Sequence, residues 1–358
     1  MEREFIVLCG EHYNPLGIIR SLGEAGIKPI AIVKKNEFQL TSKSKYIKKL
    51  HFVNSIEEGF NLLLETYANE KCPPYVYTAD DKTMTHIDQH YDEIRGRAFC
   101  FNAGKPGRIT FYMNKDNINR IAIKHGLNVL NATVVNKGEI PSGLEYPIIT
   151  KPIASTMGAW KGDMYICNSE KDLKEAYGKI LSEKLLLQKY IHKKNEYCLE
   201  GLSVAHGQSV AISIASSYNY ILDNGYSPYM TVRNFDKPAL GEKLKEILKE
   251  IGYEGIFEIE FLVDENDQLW FCEINFRNST WSYASTCAGM NLPYKWAEYM
   301  RQGKIDSDFI KKVPSDFTAM VEVHDYANRV KTNKISKLQW FNAVSYTHLR
   351  AHETPEHL

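Results

Sequence analysis

Apolar and polar positions along the chain change rhythm near residue 105. Before it, short apolar runs alternate with helical spacings. Phe5–Cys9 is a five-residue apolar run closed by Gly10. Leu16, Ile19, Leu22 and Ala25 then recur at intervals of three, and Gly26 ends the pattern. Pro29–Val33 is a second apolar run. Strand, turn, helix and strand in this order predict a βαβ unit and a parallel sheet. Further strands are expected at Lys49–Val53 and Tyr75–Thr78, with helices at Ile56–Asn69 and Lys82–Arg95. Residues 1–105 therefore read as a small doubly wound unit. Its first turn, Gly10–Gly17 (G-E-H-Y-N-P-L-G), lacks the G-x-G-x-x-G spacing of a dinucleotide fingerprint. Two readings stay open: a helix N-terminus facing an anionic substrate group, or an ordinary βα loop.

Beyond residue 105 the order becomes α+β. Asn114–His125 has helical spacing, and Pro147–Lys151 reads as a strand entering the small-residue loop Ala154–Gly162. Ser169–Ser182 is a helix opened by a capping serine. Leu185–Lys189, Glu196–Val204 and Ser209–Ser216 read as strands. Helices are expected at Gly241–Ile251 and Leu292–Gln302.

The richest stretch is Gly255–Ser279 (G-I-F-E-I-E-F-L-V-D-E-N-D-Q-L-W-F-C-E-I-N-F-R-N-S). Phe257, Ile259 and Phe261 alternate with Glu258 and Glu260. Trp270, Cys272, Ile274 and Phe276 alternate with Glu273, Asn275 and Arg277. Two period-2 strands flank the polar turn Glu265–Gln268, which predicts a hairpin. A symmetric register sets Glu260 opposite Glu273 and Glu258 opposite Asn275. Directly opposed like charges destabilise a strand pair, and a bound cation removes the conflict. Two carboxylates and an amide oxygen are hard donors suited to Mg²⁺. A solvated outer face is the plainer alternative.

Composition narrows the partners. Lys+Arg and Asp+Glu both number 44, so the formal charge is zero. That argues against nucleic-acid binding driven by phosphate contacts and against a polybasic membrane binder. No window approaches the ~18 apolar residues of a membrane span. Seven cysteines without a C-x-x-C pair read as reduced, cytoplasmic thiols. The end, Val344–Leu358 (V-S-Y-T-H-L-R-A-H-E-T-P-E-H-L), holds His348, His352 and His357. A histidine metal cluster is one reading. The string more closely resembles translated adapter sequence, so it is set aside from fold reasoning as a non-native tail.

E-I-N-F-R with a glutamate 13 residues before its own resembles the metal-binding end of ATP-grasp enzymes. That superfamily includes D-alanine–D-alanine ligase, D-aspartate ligase, biotin carboxylase and carbamoyl-phosphate synthase. Phe276 stands where E-x-N-P-R has proline. The resemblance implies a Rossmann-like pre-ATP-grasp domain followed by a two-lobed ATP-grasp fold. The expected domains are 1–105 (Rossmann-like), 106–190 (first lobe with phosphate loop), 191–305 (second lobe with the Mg²⁺ site), 306–343 (truncated C-terminal segment) and 344–358 (tail). It implies phosphate contacts from Lys115 and Lys151 and from Ser155, Thr156 and Gly158 of the loop. Gln188 and the hinge Lys189, Tyr190 and Ile191 would meet adenine, and Glu196 the ribose. Glu260, Glu273 and Asn275 would hold Mg²⁺, with Mn²⁺ as a substitute. Arg277 would stabilise the transferring phosphoryl or acyl phosphate, with Lys151 also catalytic. Glu258 would assist the metal or bind a basic substrate group.

The implied activity is ATP-dependent ligation of a small-molecule carboxylate to an amine through an acyl phosphate. A homodimer is compatible with it. The alternatives are another ATP-grasp reaction, such as a carboxylase or carboxylate kinase, and a nucleotide-binding protein without turnover. The loop after Arg277 (N-S-T-W-S-Y-A-S-T-C) is rich in hydroxyls and aromatics, which suits small polar substrates. It differs from the corresponding loop of biotin carboxylases. Carbamoyl-phosphate synthase needs two such halves, and this chain has one.

Overall fold

The computed structural model describes residues 3–153, 160–222 and 226–346. Three sheets organise them. Strands β1 (Phe5–Cys9), β2 (Ile30–Lys34), β3 (Lys49–Val53), β4 (Tyr75–Tyr77) and β5 (Phe99–Cys100) form a parallel sheet in the order β3-β2-β1-β4-β5. β1, β2 and β4 are nearly continuous apolar runs and are buried, as strands covered on both faces must be. The helix Tyr13–Glu24 joins β1 to β2, and Ile56–Thr66 joins β3 to β4. Ser55 starts the latter by accepting from the Glu58 amide at 3.0 Å. The single helix expected at Lys82–Arg95 is two: Asp81–Gln89, capped by Asp80, and Tyr91–Ile94. The break falls at His90, whose ψ of 22° leaves the helical range.

β6 (Ala132–Asn136), β7 (Ile148–Pro152), β8 (Ile166–Cys167) and β9 (Lys184–Lys189) make a small antiparallel sheet in the order β6-β9-β7-β8. The helix Glu170–Tyr177, capped by Ser169, covers it. This lobe has its own core around Val135, Ile148, Leu173, Leu185 and Leu187.

The third sheet is antiparallel, with six strands in the order β14-β13-β10-β11-β12-β15. They are β10 (Asn195–Val204), β11 (Ser209–Tyr218), β12 (Tyr229–Arg233), β13 (Gly255–Val263), β14 (Leu269–Asn275) and β15 (Thr318–Met320). One continuous core joins this sheet to the parallel one. Trp296, fully buried on the helix Leu292–Gln302, is its link and packs edge-on against Tyr77 and Phe101. The final helix, Lys337–Tyr346, runs past the boundary expected at residue 343. All seven cysteines are free, and among the described residues no helix is long and apolar enough to cross a membrane.

Candidate nucleotide and metal site

The large sheet turns one polar face toward the small lobe. Register fixes its contents. Glu200, Glu258 and Asn275 lie side by side across β10, β13 and β14, and Cys198, Glu260 and Glu273 form the next row. Directly paired residues share a face, so these carboxylates are neighbours. The register expected from the sequence holds at Glu260–Glu273 and Glu258–Asn275. It then slips by one between Glu260 and Phe261, where a bulge leaves Phe271 opposite Phe261. The symmetric register, which would set Cys272 opposite Phe261, is therefore corrected beyond Glu260. Phe271 takes the buried place at 2% exposure. The Cys272 thiol lies beside Lys151, Glu273 and Lys115, and burial pushes it up to about 11.

These side chains bond to one another. The Asn275 amide donates to Glu258 at 2.9 Å and to Glu260 at 2.8 Å. Its oxygen accepts from Arg277 at 3.0 Å. Glu273 forms an ion pair with Lys115. Lys115 holds the Glu273 carboxyl below its ordinary range against the effect of burial. Burial, then the charges of Glu258 and Glu273, push Glu260 well up. Burial and the charge of Glu200 do the same to Glu258. A row of carboxylates that resists ionisation is short of positive charge, and a divalent cation supplies it. The donor set fits: two carboxylates and an amide oxygen on neighbouring strands. Among the described residues, no three His, Cys, Asp or Glu side chains are grouped closely enough to ligate an ion as they stand. The third hard donor here is Asn275.

The basic side chains come from the small lobe and the helix before it. Lys115 opens the helix Lys115–Lys124, whose N-cap Asn114 accepts from the amides of Asp116 and Asn117. The Lys115 amide bonds to the Ile153 carbonyl at 2.9 Å, which ties this helix to the end of β7. Burial lowers Lys115, but the Glu273 charge outweighs it and the net direction is up. Lys151 on β7 donates to the buried Gln188 at 2.7 Å. Burial lowers Lys151 below an ordinary lysine. In the hinge, the Lys189 amide bonds to Asn131 and the Tyr190 amide to Pro147, at 2.8 and 2.9 Å. Among the described residues, the Ile191 amide has no such bond. Glu196 pairs with Lys193 at the other end of the polar face. Ser155, Thr156 and Gly158 lie outside the described residues.

Arg277 donates to Asp81 at 2.7 Å, so a residue just after β4 fixes a side chain just after β14. The Asp81 charge raises its pKa against burial. The following loop is pinned to the first turn of the chain. Asn278 donates to the Asn14 carbonyl at 3.0 Å and Thr280 to the Asn14 side chain at 2.7 Å. Asn14 donates onward to Ala79 at 3.2 Å. The turn Gly10–Gly17 thus braces the loop, and His12 accepts the Asn14 amide as the helix cap. Sequence reasoning passed over Asp81, Asn14, Lys193 and Glu200. Only Asp81 carried a local signal, as an acidic residue at the start of the helix that follows β4.

The chain's residues 108–299 match the family model described as carbamoyl-phosphate synthase L chain, ATP binding domain. The chain belongs to this family. The resemblance to ATP-grasp ligases seen in the hairpin thereby stands. The 2-oxoglutarate carboxylase small subunit of Hydrogenobacter thermophilus is 24% identical over 73% of this chain and 58% of its own length. The N5-carboxyaminoimidazole ribonucleotide synthase of Staphylococcus aureus is 30% identical over 37% of this chain and 34% of its own. The chain thus spans between a third and three-fifths of these relatives. Among solved structures, the L-amino acid ligase of Bacillus licheniformis superposes with a TM-score of 0.64 at 14% identity, covering 87% of this chain and 77% of that one. The Staphylococcus aureus N5-carboxyaminoimidazole synthetase gives 0.65 at 16%, over 93% and 88%. These likenesses establish the ATP-grasp fold.

Proposed function

We propose that this protein is an ATP- and Mg²⁺-dependent ligase that activates a small carboxylate as an acyl phosphate and joins it to an amine. The observation that carries the reading is the row Glu260–Glu273 and Glu258–Asn275, with Lys115 and Lys151 beside it from two other elements and Arg277 from the end of β14. Family membership supports nucleotide binding there. The parallel sheet of 3–105 is then the Rossmann-like pre-ATP-grasp unit, and the small and large antiparallel sheets are the two lobes. Seven free cysteines support a reducing compartment, the cytoplasm.

In this reading Glu260, Glu273 and Asn275 hold Mg²⁺, and Mn²⁺ substitutes for it. The ion would supply charge neutralisation at the phosphate oxygens. Lys115 is paired with Glu273 here and would turn toward phosphate when nucleotide enters. Lys151 adds a second positive charge from β7. Ser155, Thr156 and Gly158 belong to the loop covering the phosphates. Gln188 and the backbone of Lys189, Tyr190 and Ile191 face adenine, while Glu196 takes the ribose hydroxyls. An oxygen of the acid attacks the γ-phosphorus, forming an O–P bond as the bond to ADP breaks. The amine then attacks the acyl carbon and phosphate leaves with the acid's oxygen. Arg277, fixed by Asp81 and Asn275, faces the charge that develops at the transferred group.

The test is ADP release with Mg²⁺ over a panel of amino acids and small acids paired with amines. Amine-dependent release that Glu273→Gln abolishes supports the ligase. Release that depends on bicarbonate instead of an amine supports a carboxylase, and nucleotide binding without release supports a protein without turnover.

A further inference from the structure

Behind Arg277 lies a carboxylate that the proposed chemistry leaves unused. Glu200 is fully buried in the middle of β10. Each of its oxygens accepts a hydroxyl: Ser279 on one and Ser282 on the other, both at 2.6 Å. Ser279 and Ser282 are themselves almost wholly buried and cross-linked, since the Ser279 amide donates to the Ser282 hydroxyl at 2.9 Å. The Trp281 amide donates to the Ser279 hydroxyl at 3.0 Å. A second tie lies one strand away. Ser213 donates to the Glu200 carbonyl at 2.9 Å and bonds to Ser285 at 2.8 Å.

The position of Glu200 is set by a bulge in β10 between Glu200 and Gly201. Gly201 has no room for a side chain, because a Cβ there would meet the Ala211 carbonyl at 2.3 Å and the Phe257 ring at 2.5 Å. On its other side Glu200 is opposite Glu258, which accepts from Asn275. Asn275 accepts from Arg277 in turn. Hydrogen bonds therefore tie 278–282 to Glu200, and others tie Glu258 to a proposed metal ligand and to Arg277, while direct pairing of β10 with β13 sets Glu200 beside Glu258 between the two networks. An uncharged residue could fill the same space at less cost, because a buried carboxylate must be compensated fully. What the carboxylate adds is a pair of short bonds, 2.6 Å each, one on either oxygen, that leave the segment little freedom.

We propose that Glu200 is a positioning residue that makes the segment 278–287, a short loop and the helix Ser282–Cys287, respond as one body with the metal-bearing strands β13 and β14, so that filling the Mg²⁺–nucleotide site orders the segment that meets the acceptor substrate. This rests on the functional reading above, and the test separates the two. Hydrogen–deuterium exchange is followed on the full chain, without and with Mg²⁺ and a non-hydrolysable ATP analogue. Binding is measured in parallel by calorimetry. In the wild type, exchange slows by about fivefold or more at 255–275 and at 278–287 together. Glu200→Gln replaces one acceptor by a donor facing a hydroxyl. It is expected to bind the analogue with near-wild-type affinity and to keep the protection at 255–275 while losing it at 278–287. The double variant Ser279→Ala/Ser282→Ala removes the same bonds from the other side and carries the test if Glu200→Gln does not fold. Protection of 278–287 that persists in either variant with binding intact overturns the proposal, as does wild-type protection confined to 255–275. Failure of the wild type to bind the analogue at all overturns the functional reading, and this proposal with it.

Discussion

Glu260→Gln sets stability against function at one atom. Gln keeps an oxygen to accept from Asn275, a bond of 2.8 Å in the wild type. Above the raised pKa of Glu260, where the wild-type carboxylate is ionised, it removes one of three neighbouring negative charges. Opposed side chains lie ~5 Å apart at Cβ. At an effective dielectric constant near 20, a like-charge pair at that distance costs ~3 kcal/mol. Lys115 offsets part of this through Glu273, which leaves about 1–2 kcal/mol to recover. For a domain of about 200 residues that is a rise in Tm of about 2–8 °C for the metal-free protein. The sign of the pH dependence follows. Glu260 has a raised folded pKa, so the folded state binds the proton more tightly than the unfolded state does. Wild-type stability is therefore greatest below the unfolded carboxylate value and falls as pH rises toward the raised one. The variant lacks this contribution. Mg²⁺ at 100 times its Kd should stabilise the wild type by about 2.7 kcal/mol, or roughly 5–10 °C, and the variant much less. The assay is thermal unfolding in EDTA and in a Mg²⁺ series, at several pH values. A variant that melts below the wild type in EDTA at the high end of the pH series, where Glu260 is ionised, or that gains as much from Mg²⁺, refutes the reasoning.

Other substitutions divide the site by role. Lys115→Ala should weaken nucleotide binding at least tenfold, measured by calorimetry, because it removes a phosphate contact and leaves Glu273 unpaired. Arg277→Lys should lower turnover about a hundredfold with little change in nucleotide affinity. A lysine cannot bond to Asp81 and Asn275 together as Arg277 does; steady-state kinetics on an active substrate pair would reveal it. Asn14→Ala should destabilise the protein by about 1–3 kcal/mol in denaturant unfolding, since Thr280 loses a buried partner. Deleting residues 347–358 should leave Mg²⁺ and nucleotide affinity unchanged, and a measurable loss would make that stretch part of the working site.

What could be read from the sequence was what repeats at short range. Alternation at 257–263 and 269–275 disclosed the hairpin, and a sum of residue numbers set Glu260 opposite Glu273. The same symmetry failed beyond Glu260, because a bulge adds a residue without any change in alternation that one strand alone would betray. Asn114 and Ser169 marked helix starts correctly, since a cap is a local hydrogen bond. Glu200 was invisible for the opposite reason. In Y-C-L-E-G-L it looks like one polar residue in an apolar strand. Its partners lie about 80 residues away, and only the assembled sheet brings them together. Asp81 and Asn14 lie in the first turns of the helices after β4 and β1, and nothing local marks them as braces for Arg277 and the loop after it. The turn at Gly10–Gly17 left two readings open, and the structure adds a third role, holding the loop at 278–280.

The central claim is that this site makes an acyl phosphate from a carboxylate and Mg²⁺–ATP. The most direct measurement uses a carboxylate donor labelled with ¹⁸O in the presence of ATP, Mg²⁺ and an amine, with mass analysis of the released phosphate. The account expects one ¹⁸O per phosphate, released with ADP and dependent on Glu260, Glu273 and Asn275. Unlabelled phosphate accompanying amide formation, or release of AMP and pyrophosphate, would contradict it.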